Sequence, residues 1–263
     1  MTSERPSLGT IRVVSLYDDV MSVYADRGNL LALQHRAAVL GVGVEVTRVS
    51  LGDALPVEAD LLLIGGGQDR EQRRIAEELV TRGPKLRAWA EDDVAMLAVC
   101  GGFQLFGHWY RDGQGETLPG AGLFDVTTVA PGPGWARCIG DVLAVSTLDD
   151  VGEVVGFENH GGRTYLGPAA RPFARVEHGF GNNGADGTEG CVYREAIGTY
   201  LHGSVLPKNL PLLDHLIEAA LRHRYGADVR IAWEQDLYAT RAHHAAAEVA
   251  RRRAPRFEGV ARP

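Results

Sequence analysis

Short apolar runs alternate with helical segments over the first hundred residues of the chain. Apolar residues dominate positions 11–16, 44–49, 60–64 and 94–99, and runs of this length are typical of buried strands. Between these runs, the residue spacing predicts helices over residues 29–40, 69–81 and 85–92. Strands and helices in this alternation predict an α/β fold: an open, doubly wound, mostly parallel sheet with helices flanking both faces.

The second half of the chain has a different pattern. Between residues 120 and 198, short extended runs alternate with loops rich in Gly, Pro and Asn, which predicts a β-rich and partly antiparallel region. Helices are predicted over residues 210–224 and 236–253. We therefore expect one domain over residues 8–226 and a helical tail over residues 227–263, which docks on the domain or on a partner.

Composition narrows the classes of protein to consider. The chain has 263 residues, 45% of them apolar, which is enough for one large domain with an ample core. Its formal net charge of −7 argues against nucleic acid or an anionic membrane surface as the main partner. No apolar stretch reaches the roughly 18–20 residues of a membrane span, and the polar opening residues lack the apolar core of a signal peptide. These features predict a cytoplasmic protein without an integral membrane segment.

Cys100 stands where a predicted strand meets a predicted helix. It follows the apolar run at 94–99, and Gly101 and Gly102 lead into apolar residues at helical spacing as far as Tyr110. A cysteine on such a turn has an exposed sulfur close to a helix N-terminus, which favours the reactive thiolate. The alternative is an inert structural cysteine, because free cysteine is among the most buried residue types. We predict that Cys100 is a nucleophile.

A cysteine nucleophile needs a base within hydrogen-bond reach, and two histidines compete for that role. His202 follows an apolar run that ends at Leu201, which places it at the carboxyl end of a predicted strand, where ligands bind to open α/β sheets. The alternative for His202 is a loop histidine without a catalytic role. His160 is the rival base. Gly101 and the glycine run at residues 65–67 are the natural sources of backbone N–H groups for an oxyanion hole.

Other kinds of site find less support in the sequence. Cys100, Cys138 and Cys191 form no CxxC motif and no cluster with histidine along the chain, which predicts neither a disulfide framework nor a metal site. The GxGxxG match at residues 179–184 precedes no predicted helix, so we interpret it as a loop. The GxxxxGK[ST] motif is absent. We therefore expect no cofactor on this chain.

Six segments, in order, resemble the class I glutamine amidotransferases of the CobB/CobQ-like type. The turn around Cys100 and the TYLHG sequence are typical of the broad family. FENHGG and GNNG narrow the resemblance to the glutaminase subunits of lipid II isoglutaminyl synthases. The segments are residues 24–33 (YADRGNLLAL), 61–69 (LLLIGGGQD), 97–107 (LAVCGGFQLFG), 156–164 (GFENHGGRT), 179–190 (GFGNNGADGTEG) and 198–209 (GTYLHGSVLPKN).

The resemblance implies a glutaminase in which Cys100 attacks the side-chain amide of L-glutamine and His202 is its base. His160 then takes a structural role. Many relatives carry an acid two residues after the catalytic histidine, where this chain has Ser204. The third member of the triad would therefore come from the partner, with Glu158 or another acid of this chain as the alternative.

The resemblance also implies residues that hold the substrate. Gly66 and Gly101 would line the oxyanion hole, and Gln104 would hold the nucleophile turn and the substrate. Arg137 would bind the α-carboxylate of glutamine, since a guanidinium suits a carboxylate through paired hydrogen bonds. The alternative for Arg137 is a surface ion pair.

The partner implied by the resemblance is a MurT-like Mur ligase subunit in a heterodimer. That subunit would use ATP and the released ammonia to amidate the D-glutamate α-carboxyl of lipid II to D-isoglutamine. Three alternatives stay open: the glutaminase subunit of another biosynthetic amidotransferase such as a cobyrinate-type enzyme, a stand-alone γ-glutamyl hydrolase, and a binding module without catalysis.

Overall fold

The computed structural model describes residues 8–23, 26–132, 134–226, 231 and 234–257. Tyr24 and Ala25 of the first family segment, and residues 227–230, 232–233 and 258–263 of the predicted tail, lie outside the described residues. The first half contains β1 (Gly9–Leu16), α1 (Arg27–Val39), β2 (Val42–Val49), β3 (Leu61–Ile64), α2 (Asp69–Glu91), β4 (Ala95–Val99), α3 (Gly101–Phe106), β5 (Trp109–Arg111), β6 (Thr117–Pro119) and β7 (Val126–Val129). The second half contains β8 (Cys138–Ser146), β9 (Glu153–His160), β10 (Arg163–Leu166), β11 (Ala174–His178), β12 (Thr188–Glu189), β13 (Cys191–Tyr193), β14 (Ala196–Thr199), α4 (Leu210–Tyr225) and α5 (Leu237–Arg253).

The central sheet has six strands in the order β13-β14-β4-β3-β1-β2. All neighbours are parallel except β13, which runs antiparallel to β14 at one edge. Every residue of β3 and β4 is buried, as expected of strands covered on both faces. Helices α1 and α4 contact each other, and α2 contacts α3. The predicted α/β fold with an open, mostly parallel sheet is confirmed.

The second half adds two four-stranded sheets, in the orders β10-β7-β5-β6 and β12-β11-β8-β9. Their pairings are antiparallel apart from β5 with β7. The β8–β9 hairpin pairs Cys138 with His160 at one end and Val145 with Glu153 at the other. The prediction of a β-rich, partly antiparallel second half is confirmed.

The two helices predicted over residues 69–81 and 85–92 form one helix, α2, with Pro84 inside it. The sequence interpretation was wrong here because the Gly83-Pro84 pair resembles a break. A proline in a helix interior costs about 3 kcal/mol. The buried stripe of Ile75, Leu79, Leu86 and Trp89 outweighs this cost, because each such side chain contributes about 1.5–3 kcal/mol on burial.

The helix that follows Cys100 is shorter than predicted. It ends at Phe106, and Trp109 and Tyr110 belong to strand β5. The helix stops because the chain turns at Gly107, after which the His108 N–H donates to the Val126 carbonyl and β5 pairs with β7. Sheet pairing therefore overrides a helical spacing of apolar residues.

The last helix packs on the antiparallel part of the fold. Ala247 and Ala250 of α5 are buried against Leu143 of β8 and Val155 of β9. Asp236 caps α5, since its side chain accepts hydrogen bonds from the backbone N–H groups of Tyr238 and Ala239. None of the helices within the described ranges is both long and apolar enough to cross a membrane.

Candidate active site

The site lies where four neighbouring strands of the central sheet end. Cys100 follows β4 directly, the glycine run at residues 65–67 follows β3, and His202 lies three residues after β14. Asp26 lies in the connection between β1 and α1. Because β14, β4, β3 and β1 are parallel neighbours, their carboxyl ends meet at one edge of the sheet.

Cys100 occupies a strained turn between β4 and α3. Its φ of 50° and ψ of −105° are unusual for a residue with a side chain, and such a conformation costs about 1–3 kcal/mol. The Cys100 N–H donates to the Thr199 carbonyl at 2.8 Å, which ties the turn to β14. A Cβ atom on Gly101 would lie 2.8 Å from the Gly67 backbone nitrogen, so the turn requires a glycine there. This packing fixes the sulfur position at the sheet edge.

His202 and Cys100 both lie next to Gly66. A Cβ atom built on Gly66 would lie 2.9 Å from His202 Cε1 and 3.2 Å from Cys100 Cβ. The His202 backbone is held by β9, since its N–H donates to the Phe157 carbonyl at 2.7 Å. The structure therefore brings the predicted nucleophile and the predicted base together.

Among the described residues, Asp26 is the acid whose carboxylate faces the His202 ring, and it was not predicted from the sequence. Its Oδ1 lies 3.6 Å from His202 Nδ1, and its Oδ2 accepts the Gly66 N–H at 2.7 Å. The Asp26 side chain is 2% exposed. The signal available in the sequence was an acid in the loop after the first strand, inside a segment that carries the family resemblance.

Glu158, the acid named from the sequence, lies in a different environment. Its carboxylate oxygens accept the backbone N–H groups of Phe180 and Gly181, at 2.7 and 2.9 Å. Within the described part of the chain, the acid that faces His202 is therefore Asp26.

The charges at the site favour a protonated His202. Burial by itself lowers the pKa of His202, but the neighbouring Cys100 sulfur and the Asp26 carboxylate outweigh it and raise the pKa to about 10. At neutral pH the ring is then an imidazolium. This positive charge lies next to the Cys100 sulfur.

The glycine run provides backbone N–H groups beside the sulfur. The Gly66 N–H is already used by Asp26, which is at odds with the expected place of Gly66 in the oxyanion hole. The N–H groups of Gly67 and Gly101 have no acceptor among the described residues. Gly67 also lines the cavity that contains Cys100. These two N–H groups therefore remain available to a developing oxyanion.

A cavity of about 630 Å³ opens over Cys100. Gln104 lines it from α3, and its amide is held at both ends: Oε1 accepts from Gln72 and Nε2 donates to the Tyr200 hydroxyl, each at 3.0 Å. Gln104 thus connects α2, the nucleophile turn and the end of β14. This geometry fits its expected role in holding the turn.

Two opposite charges on the cavity wall could orient a zwitterion. The exposed Arg137 uses Nε and Nη2 on Asn159, at 3.1 and 3.0 Å, and its Nη1 has no acceptor among the described residues. Asp69 is the only carboxylate among the described residues that line the cavity. Its Oδ1 accepts the Tyr110 hydroxyl at 2.8 Å. Arg137 was predicted from the sequence, and Asp69 was not.

His160 also borders the cavity, but its ring is held away from a catalytic role. The ring stacks on Tyr200 with centroids 3.7 Å apart, and Nδ1 lies 2.7 Å from the Gly162 carbonyl. Burial lowers the pKa of His160 to about 3, so the ring is neutral and Nδ1 is the donor to that carbonyl. This geometry fits the structural role expected for His160.

Comparisons with known proteins show the family and agree with the fold. The family model for the CobB/CobQ-like glutamine amidotransferase domain matches residues 12–210. The GatD subunit of the glutamine-hydrolysing lipid II isoglutaminyl synthase from Streptococcus pneumoniae is 36% identical over 228 residues, which cover 86% of each chain. The corresponding subunit from Staphylococcus aureus is 37% identical over 81% of this chain and 86% of its own length. A solved glutamine amidotransferase from Thermotoga maritima shares the fold at a TM-score of 0.52 and 17% identity, over 92% of this chain and 95% of that one.

Proposed function

Because this chain belongs to the CobB/CobQ-like glutamine amidotransferase family, we propose that it hydrolyses L-glutamine to glutamate and ammonia through Cys100 and His202. The observation that carries this proposal is the arrangement of Cys100, His202 and Asp26 around Gly66. A strained cysteine, a histidine beside it and an acid facing that histidine are the parts that nucleophilic catalysis needs.

The reaction begins with attack of the Cys100 thiolate on the γ-amide carbon of glutamine. The carbonyl π electrons move to oxygen, and the N–H groups of Gly67 and Gly101 stabilise the resulting oxyanion. His202 gives its proton to the amide nitrogen, the C–N bond breaks, and ammonia leaves. A water molecule then attacks the thioester while His202 takes its proton. Glutamate departs and the Cys100 thiolate is restored.

Asp26 acts as a positioning residue through His202. Its carboxylate faces Nδ1, so the other ring nitrogen is the one that exchanges the proton with the reacting atoms. It also stabilises the imidazolium, which supports the raised pKa of His202. In this proposal the third member of the triad comes from the chain itself.

Arg137 and Asp69 would hold the amino-acid end of the substrate. The guanidinium of Arg137 pairs with the α-carboxylate, and the Asp69 carboxylate pairs with the α-ammonium group. Both residues line the cavity that contains Cys100. A ligand bound in this way presents its γ-amide to the sulfur.

The ammonia would go to a ligase on a second chain. The two GatD relatives are named as subunits of a lipid II isoglutaminyl synthase, and this chain spans 86% of the length of each. We infer a cytoplasmic heterodimer with a MurT-like Mur ligase subunit. That subunit would amidate the D-glutamate α-carboxyl of lipid II with ATP.

The test is to follow nitrogen from glutamine labelled with ¹⁵N in the side-chain amide. The chain is co-expressed with a MurT-like subunit and supplied with ATP and lipid II. We expect labelled lipid II with the intact pair. When Cys100 is changed to Ser, lipid II should take no label from glutamine, and it should be labelled only when ¹⁵N-labelled ammonia is supplied instead. Glutamine hydrolysis at full rate without the partner would favour the stand-alone hydrolase. Hydrolysis that ignores Cys100→Ser would overturn the mechanism.

A further inference from the structure

Three buried side chains with metal-binding atoms meet next to the cavity, outside the proposed catalytic group. Cys138, Glu158 and His160 each offer one ligand atom, and these atoms lie within 4.8 Å of one another. The cross-strand register explains the arrangement. Cys138 opens β8 and pairs directly with His160 of β9, and Glu158 lies two residues before His160 on the same face.

The His160 ring has an unused ligand atom aimed into this cluster. Its Nδ1 side is occupied by the Gly162 carbonyl at 2.7 Å, which fixes the tautomer. Its Nε2 has no hydrogen-bond partner and lies 3.5 Å from Glu158 Oε2, while the side chain is 1% exposed. A buried polar atom without a partner costs about 1–3 kcal/mol, so its position calls for an explanation.

The types of donor in the cluster indicate which ion would fit. A thiolate, a neutral imidazole and a carboxylate are the ligands that Zn²⁺ takes in proteins, and three protein ligands leave a fourth position for water. The thiolate and the carboxylate together balance the charge of a divalent cation, which removes the penalty of burying either anion alone. Ligand bonds of about 2.0–2.3 Å require the three atoms to approach one another by about 1 Å, a shift that side-chain rotation can supply.

We propose that Cys138, Glu158 and His160 bind one divalent ion of the zinc class. The ion connects the first residue of β8 to the last three residues of β9, beside the wall of the cavity. It also holds the loop at residues 179–181, because Glu158 accepts N–H groups from that loop. The expectation of no metal site rested on spacing along the chain, and this cluster forms only through strand pairing. The proposal does not depend on the proposed glutaminase activity.

The test measures metal binding by the full chain, purified without a polyhistidine tag. The protein is stripped with a chelator, reloaded with Zn²⁺ and desalted, and its metal content is determined by mass spectrometry. Loading with Co²⁺ gives a second readout, since cobalt bound to a thiolate has a charge-transfer band in the near ultraviolet. The variants are Cys138→Ser and Glu158→Gln. The matched control is Cys191→Ser, which changes another buried free cysteine in the central sheet.

We expect one zinc per chain in the wild type and in Cys191→Ser. Cys138→Ser should lose the cobalt charge-transfer band and bind Zn²⁺ more than about tenfold more weakly, and Glu158→Gln should also bind more weakly. Circular dichroism of each variant checks its fold. The proposal is overturned if the wild type retains no zinc, or if both cluster variants retain it as tightly as the control. The wild type also tests the proposal by itself: a cobalt complex of the wild type without the thiolate charge-transfer band would contradict it, even if the variants do not fold.

Discussion

Asp26 and His202 face each other at the carboxyl edge of the central sheet, with Oδ1 3.6 Å from Nδ1. Both side chains are buried. The Asp26 carboxylate also accepts the N–H of Gly66, which lies beside the His202 ring. Together with the Cys100 sulfur, the Asp26 carboxylate raises the pKa of His202 and so extends the pH range in which the ring is charged.

Replacing Asp26 with Asn removes the carboxylate charge and keeps the shape of the side chain. The Asp26 carboxylate raises the pKa of His202, so the variant should have a lower His202 pKa than the wild-type value of about 10. The imidazolium is then lost at a lower pH. We expect the alkaline limb of the kcat profile to move to lower pH and kcat at neutral pH to fall at least roughly tenfold, with little change in KM. Asp19→Asn, an exposed change in the same loop, is the control.

An alkaline limb that stays in place in Asp26→Asn would show that another acid sets the charge on His202. A partner-supplied acid would be the first alternative.

Gly66→Ala tests the packing around the nucleophile. The added Cβ would lie 2.9 Å from His202 Cε1, so the ring must shift from its position beside Cys100 and Asp26. A displacement of about 1 Å in a catalytic group can cost a factor of about 100 in rate, and we expect a loss of that order in kcat. Gly140→Ala is the matched control, because a Cβ there meets nothing within 4 Å. Equal rates in the two variants, with unchanged circular dichroism, would contradict this geometry.

Asp69→Asn tests recognition of the α-ammonium group. The informative substrate pair is glutamine and glutaramate, which lacks the amino group. The wild type should have a higher kcat/KM for glutamine than for glutaramate. In the variant, kcat/KM for glutamine should fall roughly ten- to a hundredfold, while kcat/KM for glutaramate stays the same. Asp149→Asn, which changes an exposed carboxylate, is the control. An equal loss on both substrates would assign Asp69 a structural role.

The three cysteines should differ sharply in their reaction with iodoacetamide. Cys100 lines the cavity, which gives the reagent access to its sulfur, and it lies beside the His202 imidazolium. Cys138 and Cys191 are fully buried, and burial raises the pKa of Cys191 to about 12. At neutral pH we expect one modified cysteine per chain, at Cys100, by peptide mass spectrometry. Modification of Cys191 at a comparable rate in folded protein would contradict the assigned burial.

The sequence predicted the parallel sheet and the meeting of Cys100 with His202 because both depend on one rule: parallel strands end at the same edge. Asp26 followed from no such pattern. It lies in an irregular loop, and its contact with His202 depends on the order of β1, β3, β4 and β14 in the sheet. Strand order is a tertiary property that residue periodicity does not contain.

Two further features depended on tertiary contacts as well. The continuity of α2 through Pro84 requires burial on both sides of the proline, which local preference does not show. The cluster of Cys138, Glu158 and His160 requires the register of the β8–β9 hairpin, and a shift of one residue would separate the three side chains.

The most direct measurement of the central proposal is a double-mutant comparison of glutamine hydrolysis, made on the chain co-expressed with a MurT-like subunit. If Cys100 and His202 act as one unit, Cys100→Ala, His202→Ala and the double variant should all fall to about the same residual rate, at least roughly a thousandfold below the wild type. Losses that multiply in the double variant, or a single variant that keeps the wild-type rate, would contradict the proposal.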